Sequence, residues 1–108
     1  MSIKVGDTEA AVRFYRDVLG LTVRSDRPDL GFGGAWLDAG GQQVHLVEGA
    51  TPPDEGQHFA VLVDNLGTAI ADLRSRGVAV SDPIPIAAAQ QAFVNDPDGN
   101  LIELHQPA

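Results

Sequence analysis

The chain has 108 residues, 44% hydrophobic and 20% charged, the size and balance of one globular domain with a single core. Its formal net charge of −8 argues against a nucleic-acid surface or an anionic membrane as partner, because both require clustered Lys and Arg. No apolar run approaches the length of a membrane span, no basic-then-apolar signal segment opens the chain, and with no Cys there is neither a disulfide framework nor thiol chemistry; the expected location is cytoplasmic.

Met1 to Val5 alternates as a short strand. Asp7 is placed to cap a helix, with Glu9 in its first turn. Ala11, Val12, Phe14, Tyr15, Val18 and Leu19 form an apolar stripe that Gly20 ends. Leu21 to Arg24 reads as a strand, and Ser25 to Gly34 as a loop rich in Gly. Ala35 to Asp38 and Gln42 to Glu48 read as strands joined at Gly40-Gly41, and Gly49 to Gln57 is linker-like. The pattern then starts again. A strand from His58 to Val63 precedes a helix after Asn65, striped by Leu66, Ala69, Ile70 and Leu73 and closed by Gly77. Val78 to Ser81 is read as a strand and Asp82 to Gln90 as a loop. Gln91 to His105 is a hairpin whose Asp96-Pro97-Asp98-Gly99 carries the residues of a type I turn.

These elements make two βαβββ modules, 1–48 and 58–108, joined by a linker at 49–57 in one domain spanning 1–108. The expected fold class is α+β, the two tandem modules forming a cupped mixed sheet. A shift of 58 carries Val5 onto Val63, Ala11 onto Ala69, Asp38 onto Asp96, Gly41 onto Gly99 and Leu46 onto Leu104. Gly20 and Gly77 are 57 apart, so one residue is gained or lost between the helix and the later strands.

The same shift carries His45 onto Glu103, each between aliphatic neighbours on a strand. A lone His on a strand is more often an ordinary hydrogen-bonded residue, and a lone Glu half-exposed or salt-bridged. Their joint placement, with His58 opening the second module, points instead to a divalent metal site. Two imidazoles and a carboxylate suit Zn, Ni, Co, Mn or Fe without choosing among them. His105 is expected at the rim. Asp96 and Asp98 are better explained by turn chemistry than by a second metal.

The stretches VGDTEAAVRFYRDVLGL (5–21), GAWLDAGGQQVHLVE (34–48), HFAVLVDNLGTAIADLRSRGV (58–78) and FVNDPDGNLIEL (93–104) together resemble the vicinal oxygen chelate superfamily. That superfamily includes glyoxalase I, fosfomycin and bleomycin resistance proteins, methylmalonyl-CoA epimerase and extradiol dioxygenases. The resemblance implies paired modules around a divalent metal, a homodimer, and ligands at His45, His58 and Glu103. The position of a first ligand falls before Met1. Lys4 and Gly49 stand where glyoxalase I carries an Arg and an Asn for glutathione. The leading expectation is a lyase or isomerase acting on a small oxygen-chelating substrate through an enediolate-type intermediate, with Glu103 as the proton-transfer group. One alternative is a bleomycin-resistance-type protein that sequesters a drug without catalysis, using Trp36 and the loop from Ser25 to Gly34. A second is a non-haem dioxygenase.

Overall fold

The computed structural model describes residues 1–51, 53 and 56–108, so the expected linker at 49–57 lies partly outside the described residues. Contacts divide the chain into two compact units, Met1–Pro53 with Asp96–Asn100, and Asp54–Asn95 with Leu101–Ala108.

The first unit opens with strand β1 (Ser2–Val5) and helix α1 (Thr8–Arg13), where the Asp7 carboxylate accepts from Ala10 N as an N-cap. The expected single helix does not continue to Gly20 in regular form. Phe14–Val18 is a π-helical segment, in which Leu19 N donates to Phe14 O, five residues back, at 3.1 Å. The wider turn lets the consecutive rings of Phe14 and Tyr15 both reach the interior, 9% and 0% exposed. Gly20, at φ 76°, then reverses the chain. Strands β2 (Thr22–Val23), β3 (Gly34–Ala39) and β4 (Gln42–Glu48) complete a four-stranded sheet in the order β1-β4-β3-β2, with β1 parallel to β4. Ala35, Leu37, Val44 and Leu46 bury one face of that sheet, where α1 packs against β3 and β4. The alternate residues Trp36, His45 and Val47 occupy the other face, opposite the one on which α1 packs.

The second unit repeats the plan. Strand β5 (His58–Leu62), helix α2 (Leu66–Ser75) and strands β6 (Ile84–Ile86), β7 (Ala89–Asn95) and β8 (Leu101–Gln106) form a sheet ordered β5-β8-β7-β6, with β5 parallel to β8. Asn65 caps α2 by accepting from Thr68 N at 3.0 Å, and Gly77 at φ 80° closes it. Leu66, Ile70 and Leu73 of α2 and Ala92, Val94, Ile102 and Leu104 of the sheet are buried, where α2 packs on β7 and β8. The α+β class and the twice-repeated module expected from the sequence are present.

Two expectations are corrected here. Val78 to Ser81 is not a strand, and the presumed loop from Asp82 to Gln90 contains β6 and the start of β7. These two strands pair Ile84 with Gln91 and Ile86 with Ala89, across a turn in which Ala87 takes φ 53°. Before them, Ser81 holds to β7 by single bonds, its N donating to Phe93 O and its Oγ accepting from Phe93 N.

The strand registers also show where the shift between the modules returns from 57 to 58. Ser2 faces His45 as Ala60 faces Glu103, which keeps the shift at 58. Trp36 faces His45 while Phe93 faces Glu103, a shift of 57. The added residue therefore lies in the turn between β7 and β8, and the structural counterpart of Asp38 is Asn95, opposite Leu101 as Asp38 is opposite Gln43.

That longer turn is heavily bonded. Gly99 N donates to Asp96 O at 3.0 Å, closing the four-residue turn, with Gly99 at φ 85°. The Asp96 carboxylate, 5% exposed, accepts from Asp98 N, Asn100 N, Asn100 Nδ2 and the Tyr15 hydroxyl, the last at 2.8 Å. Asp98 Oδ1 accepts from Gly6 N, and Asn100 Nδ2 donates to Lys4 O. Asp96 is thus saturated by turn and packing bonds, in keeping with its reading as turn chemistry.

Candidate functional site

Strand alternation directs Leu101, Glu103 and His105 to the face of the second sheet opposite α2. Phe93 lies beside Glu103 on β7, and Ala60 lies beside it on β5. Ala60 is small, so Glu103 is reached instead by the diagonal neighbour His58, two residues back along β5. His58 Nε2 stands 3.1 Å from Glu103 Oε1. The Phe93 ring and the imidazole pack with nearly perpendicular planes and centroids 5.3 Å apart, an edge-to-face contact that orients His58.

The second nitrogen settles the tautomer. His58 Nδ1 is 2.8 Å from Gly56 O, a carbonyl that only accepts, so Nδ1 carries the proton. In the neutral ring, Nε2 then turns a lone pair toward a carboxylate oxygen. Two acceptors at that distance call for a positive charge between them, either a second ring proton or a cation. The hydrogen bond to the Gly56 carbonyl is the chief cause that raises the His58 pKa; partial burial opposes it, and the Glu103 carboxylate adds to it.

His105, expected at the rim or exposed, has a partner in Glu103. Its Nδ1 lies 3.0 Å from Glu103 Oε2, and its side chain is half-buried. Glu103, with 13% of its side chain exposed, is therefore held at both oxygens by different imidazoles. The alternation of Glu103 and His105 on one strand face was the signal available for this pairing.

His45 stands on the face of the first sheet opposite α1. Its ring lies flat on Trp36, centroids 4.5 Å apart and planes 9° from parallel. Its Nε2 is 2.8 Å from Gln43 Oε1, an acceptor, which assigns the proton to Nε2 and leaves the lone pair on Nδ1. Of the three residues expected to form a metal site, the structure brings His58 and Glu103 into direct contact, and it places His45 in the other unit.

A divalent ion can be tested against these donors. Two donors at right angles around an octahedral ion with bonds of about 2.1 Å are separated by about 3.0 Å, close to the 3.1 Å between His58 Nε2 and Glu103 Oε1, whereas a tetrahedral ion spreads them to about 3.4 Å. The Gly56 carbonyl on the far nitrogen is the outer partner that orients a ligating His. The pair fits. Beyond it, no group of three or more His, Asp or Glu among the described residues is arranged to hold a metal ion. His58, Glu103 and His105 form a row, because each imidazole meets a different carboxylate oxygen.

Two βαβββ units, each with polar groups on the sheet face opposite its helix, define a class of small α+β proteins, and comparison with known proteins makes the class specific. Residues 1–104 match the model of the Glyoxalase/Bleomycin resistance protein/Dioxygenase superfamily, and the chain belongs to that family. It is 31% identical to the lactoylglutathione lyase of Salmonella typhimurium, over 94% of this chain and 86% of that protein. It spans only 33% and 41% of the length of two Arabidopsis thaliana relatives that carry the lactoylglutathione lyase name. Among solved structures, it superposes with a TM-score of 0.82 on TnmS3, an antibiotic binding protein from Streptomyces sp. CB03234, at 31% identity over 100% of this chain and 93% of that one. No helix among the described residues is long and apolar enough to cross a membrane.

Proposed function

We propose that this chain is a glyoxalase-like enzyme of the lyase or isomerase type, acting on a small substrate with neighbouring oxygens, with His58 and Glu103 at its centre. The observation that carries this reading is the His58 ring, fixed by Gly56 O on one side and set 3.1 Å from Glu103 Oε1 on the other. The likeness to lactoylglutathione lyases supports it.

Glu103 is the proton-transfer group. A carboxylate mostly shielded from water can take a proton from a substrate carbon and return it to the adjacent one. His58 balances its charge and aims Oε1. His58 and Glu103, with His45 as the donor at the repeat-equivalent position, are the proposed ligands of a divalent cation, whether Zn, Ni, Co, Mn or Fe. Such a cation, when bound, supplies Lewis-acid stabilisation of charge on the substrate oxygens.

The test combines metal analysis of the purified protein, calorimetric titration with zinc, nickel, cobalt and manganese, and turnover of lactoylglutathione. The reading expects about one ion per chain, with binding lost in His58→Ala and Glu103→Gln. Absence of binding and of any metal-dependent change in melting temperature would sink the metal assignment.

A second reading is drug binding without catalysis. The flat Trp36–His45 pair on the sheet face opposite α1 supports it, as does the likeness to the Streptomyces antibiotic binding protein. A thermal-shift screen against planar antibiotics separates the two, since this reading expects stabilisation by drug with metal absent. A homodimer is also proposed, supported by Leu62, which is 76% exposed on the edge strand β5. Sedimentation of the wild type beside Leu62→Lys tests it, with one species of monomer mass in the wild type counting against it.

A further inference from the structure

We infer that His105 is a positioning residue for Glu103, fixing its carboxylate so that a single oxygen, Oε1, is presented to His58 and to whatever cation or substrate proton occupies that gap. The inference rests on the reading of His58 and Glu103 as the site's centre, and it assigns a role to a side chain outside the metal and proton-transfer set.

The geometry is specific. Glu103 and His105 are alternate residues of β8, so both project from the face opposite α2 and lie adjacent along it. His105 Nδ1 reaches Oε2 at 3.0 Å, and as the carboxylate only accepts, Nδ1 donates. His58 Nε2 takes the other oxygen at 3.1 Å. A carboxylate on a free side chain turns about its last torsion, which is broad and soft. With Oε2 tethered, that rotation is closed, and Glu103 cannot offer both oxygens to one partner. The chemistry that follows is monodentate. It leaves one lone pair directed at the gap and gives the base one fixed atom for the proton.

The donating atom of His105 is the ring nitrogen nearer the backbone. An Asn amide nitrogen sits at the same distance along the side chain as Nδ1, whereas a Gln amide nitrogen matches Nε2 instead. His105→Asn therefore retains the tether, and His105→Gln and His105→Leu lose it.

Two measurements test this, one with metal and one without. The first is the cobalt(II) dissociation constant of each variant, taken by competition with a chromophoric chelator. His105→Leu and His105→Gln are expected to bind roughly ten- to a hundredfold more weakly, with a changed visible spectrum, and His105→Asn within a fewfold of wild type. The second is the nitrogen-15 shift of His58 Nε2 in metal-free protein at about pH 5.5, below the ordinary imidazole range, where the ring carries its second proton and Nε2 donates to Glu103 Oε1. His58 is bonded to Glu103 and not to His105, so a shift there reports the carboxylate. It is expected to move in His105→Leu and His105→Gln and to stay in place in His105→Asn. Failure of the wild type to bind cobalt would defeat the metal assignment while the His58 shift still decides the positioning claim. An unchanged His58 shift in all three variants, each with a wild-type melting curve, would overturn it.

Discussion

Replacing Tyr15 by Phe isolates one bond of the turn that leads into β8. The hydroxyl donates to Asp96 Oδ2 at 2.8 Å, and both residues are buried, 0% and 5% exposed. Phe fills the same volume less one oxygen, so no cavity term enters. Hydrogen bonds to charged groups contribute about 1.5–3 kcal/mol. Asp96 retains three other donors, Asp98 N, Asn100 N and Asn100 Nδ2, so it is not orphaned, and about 2 kcal/mol is the expected loss. With a urea slope of roughly 2 kcal/mol per molar, the unfolding midpoint falls by about 1 M. Trp36 is the one tryptophan and Tyr15 the one tyrosine, so each spectroscopic signal has one source. Burial is the main cause that raises the Tyr15 pKa, followed by the charge of Asp96 and the bond to it, with Asp98 adding further. A raised folded-state pKa gives a contribution that is complete below about pH 10, the unfolded value, and lost as pH rises above it. Wild-type protein should therefore gain its phenolate absorbance together with loss of Trp36 signal, both above pH 10, and Tyr15→Phe should lose this alkaline sensitivity. Phenolate formation near pH 10 in protein that is still folded, or a urea midpoint moved by less than about 0.2 M, would refute the reasoning.

Ala60→Leu places a branched side chain directly beside Glu103, so metal titration should show weakened binding while the urea midpoint changes little, because Ala60 is exposed. Phe93→Ala removes the ring that packs perpendicular to His58, centroids 5.3 Å apart, and cobalt affinity should fall less than in His58→Ala. Gly99→Ala forces a side chain into φ 85° at the turn before β8 and should cost about 1 kcal/mol or more in denaturant unfolding.

Most of the fold was legible because the module is written twice. Each helix carries its cap and its closing glycine, and each pair of long strands alternates cleanly, so Asp7, Asn65, Gly20 and Gly77 marked boundaries that the structure keeps. The β6–β7 hairpin was not legible. Its turn runs through Ala87 and Ala88, neither of which carries turn chemistry, and Ala87 adopts its left-handed φ under the pairing of Ile84 and Ile86 with β7. The overlay of Asp38 on Asp96 failed by one residue because like residue types matched across a turn of different length. In the site, the repeat paired His45 with Glu103 and His58 was added as their companion; His58 and Glu103 meet, while His45 lies in the other unit. The role of Gly56 could not be read, since a backbone carbonyl leaves no trace in residue type. His105 was undervalued because strand alternation gives its face and not its partner.

The turn from Asp96 to Asn100 belongs to the first unit although the strands on either side of it belong to the second. Cutting the chain once between the modules would therefore not release two self-sufficient halves. A fragment ending at residue 53 would keep the Tyr15 ring but lack the carboxylate that receives its hydroxyl, and Gly6 N and Lys4 O would each lose a bond. Two copies of one motif have become mutually dependent through five borrowed residues, so any attempt to express, swap or shuffle a single module must carry that turn with it.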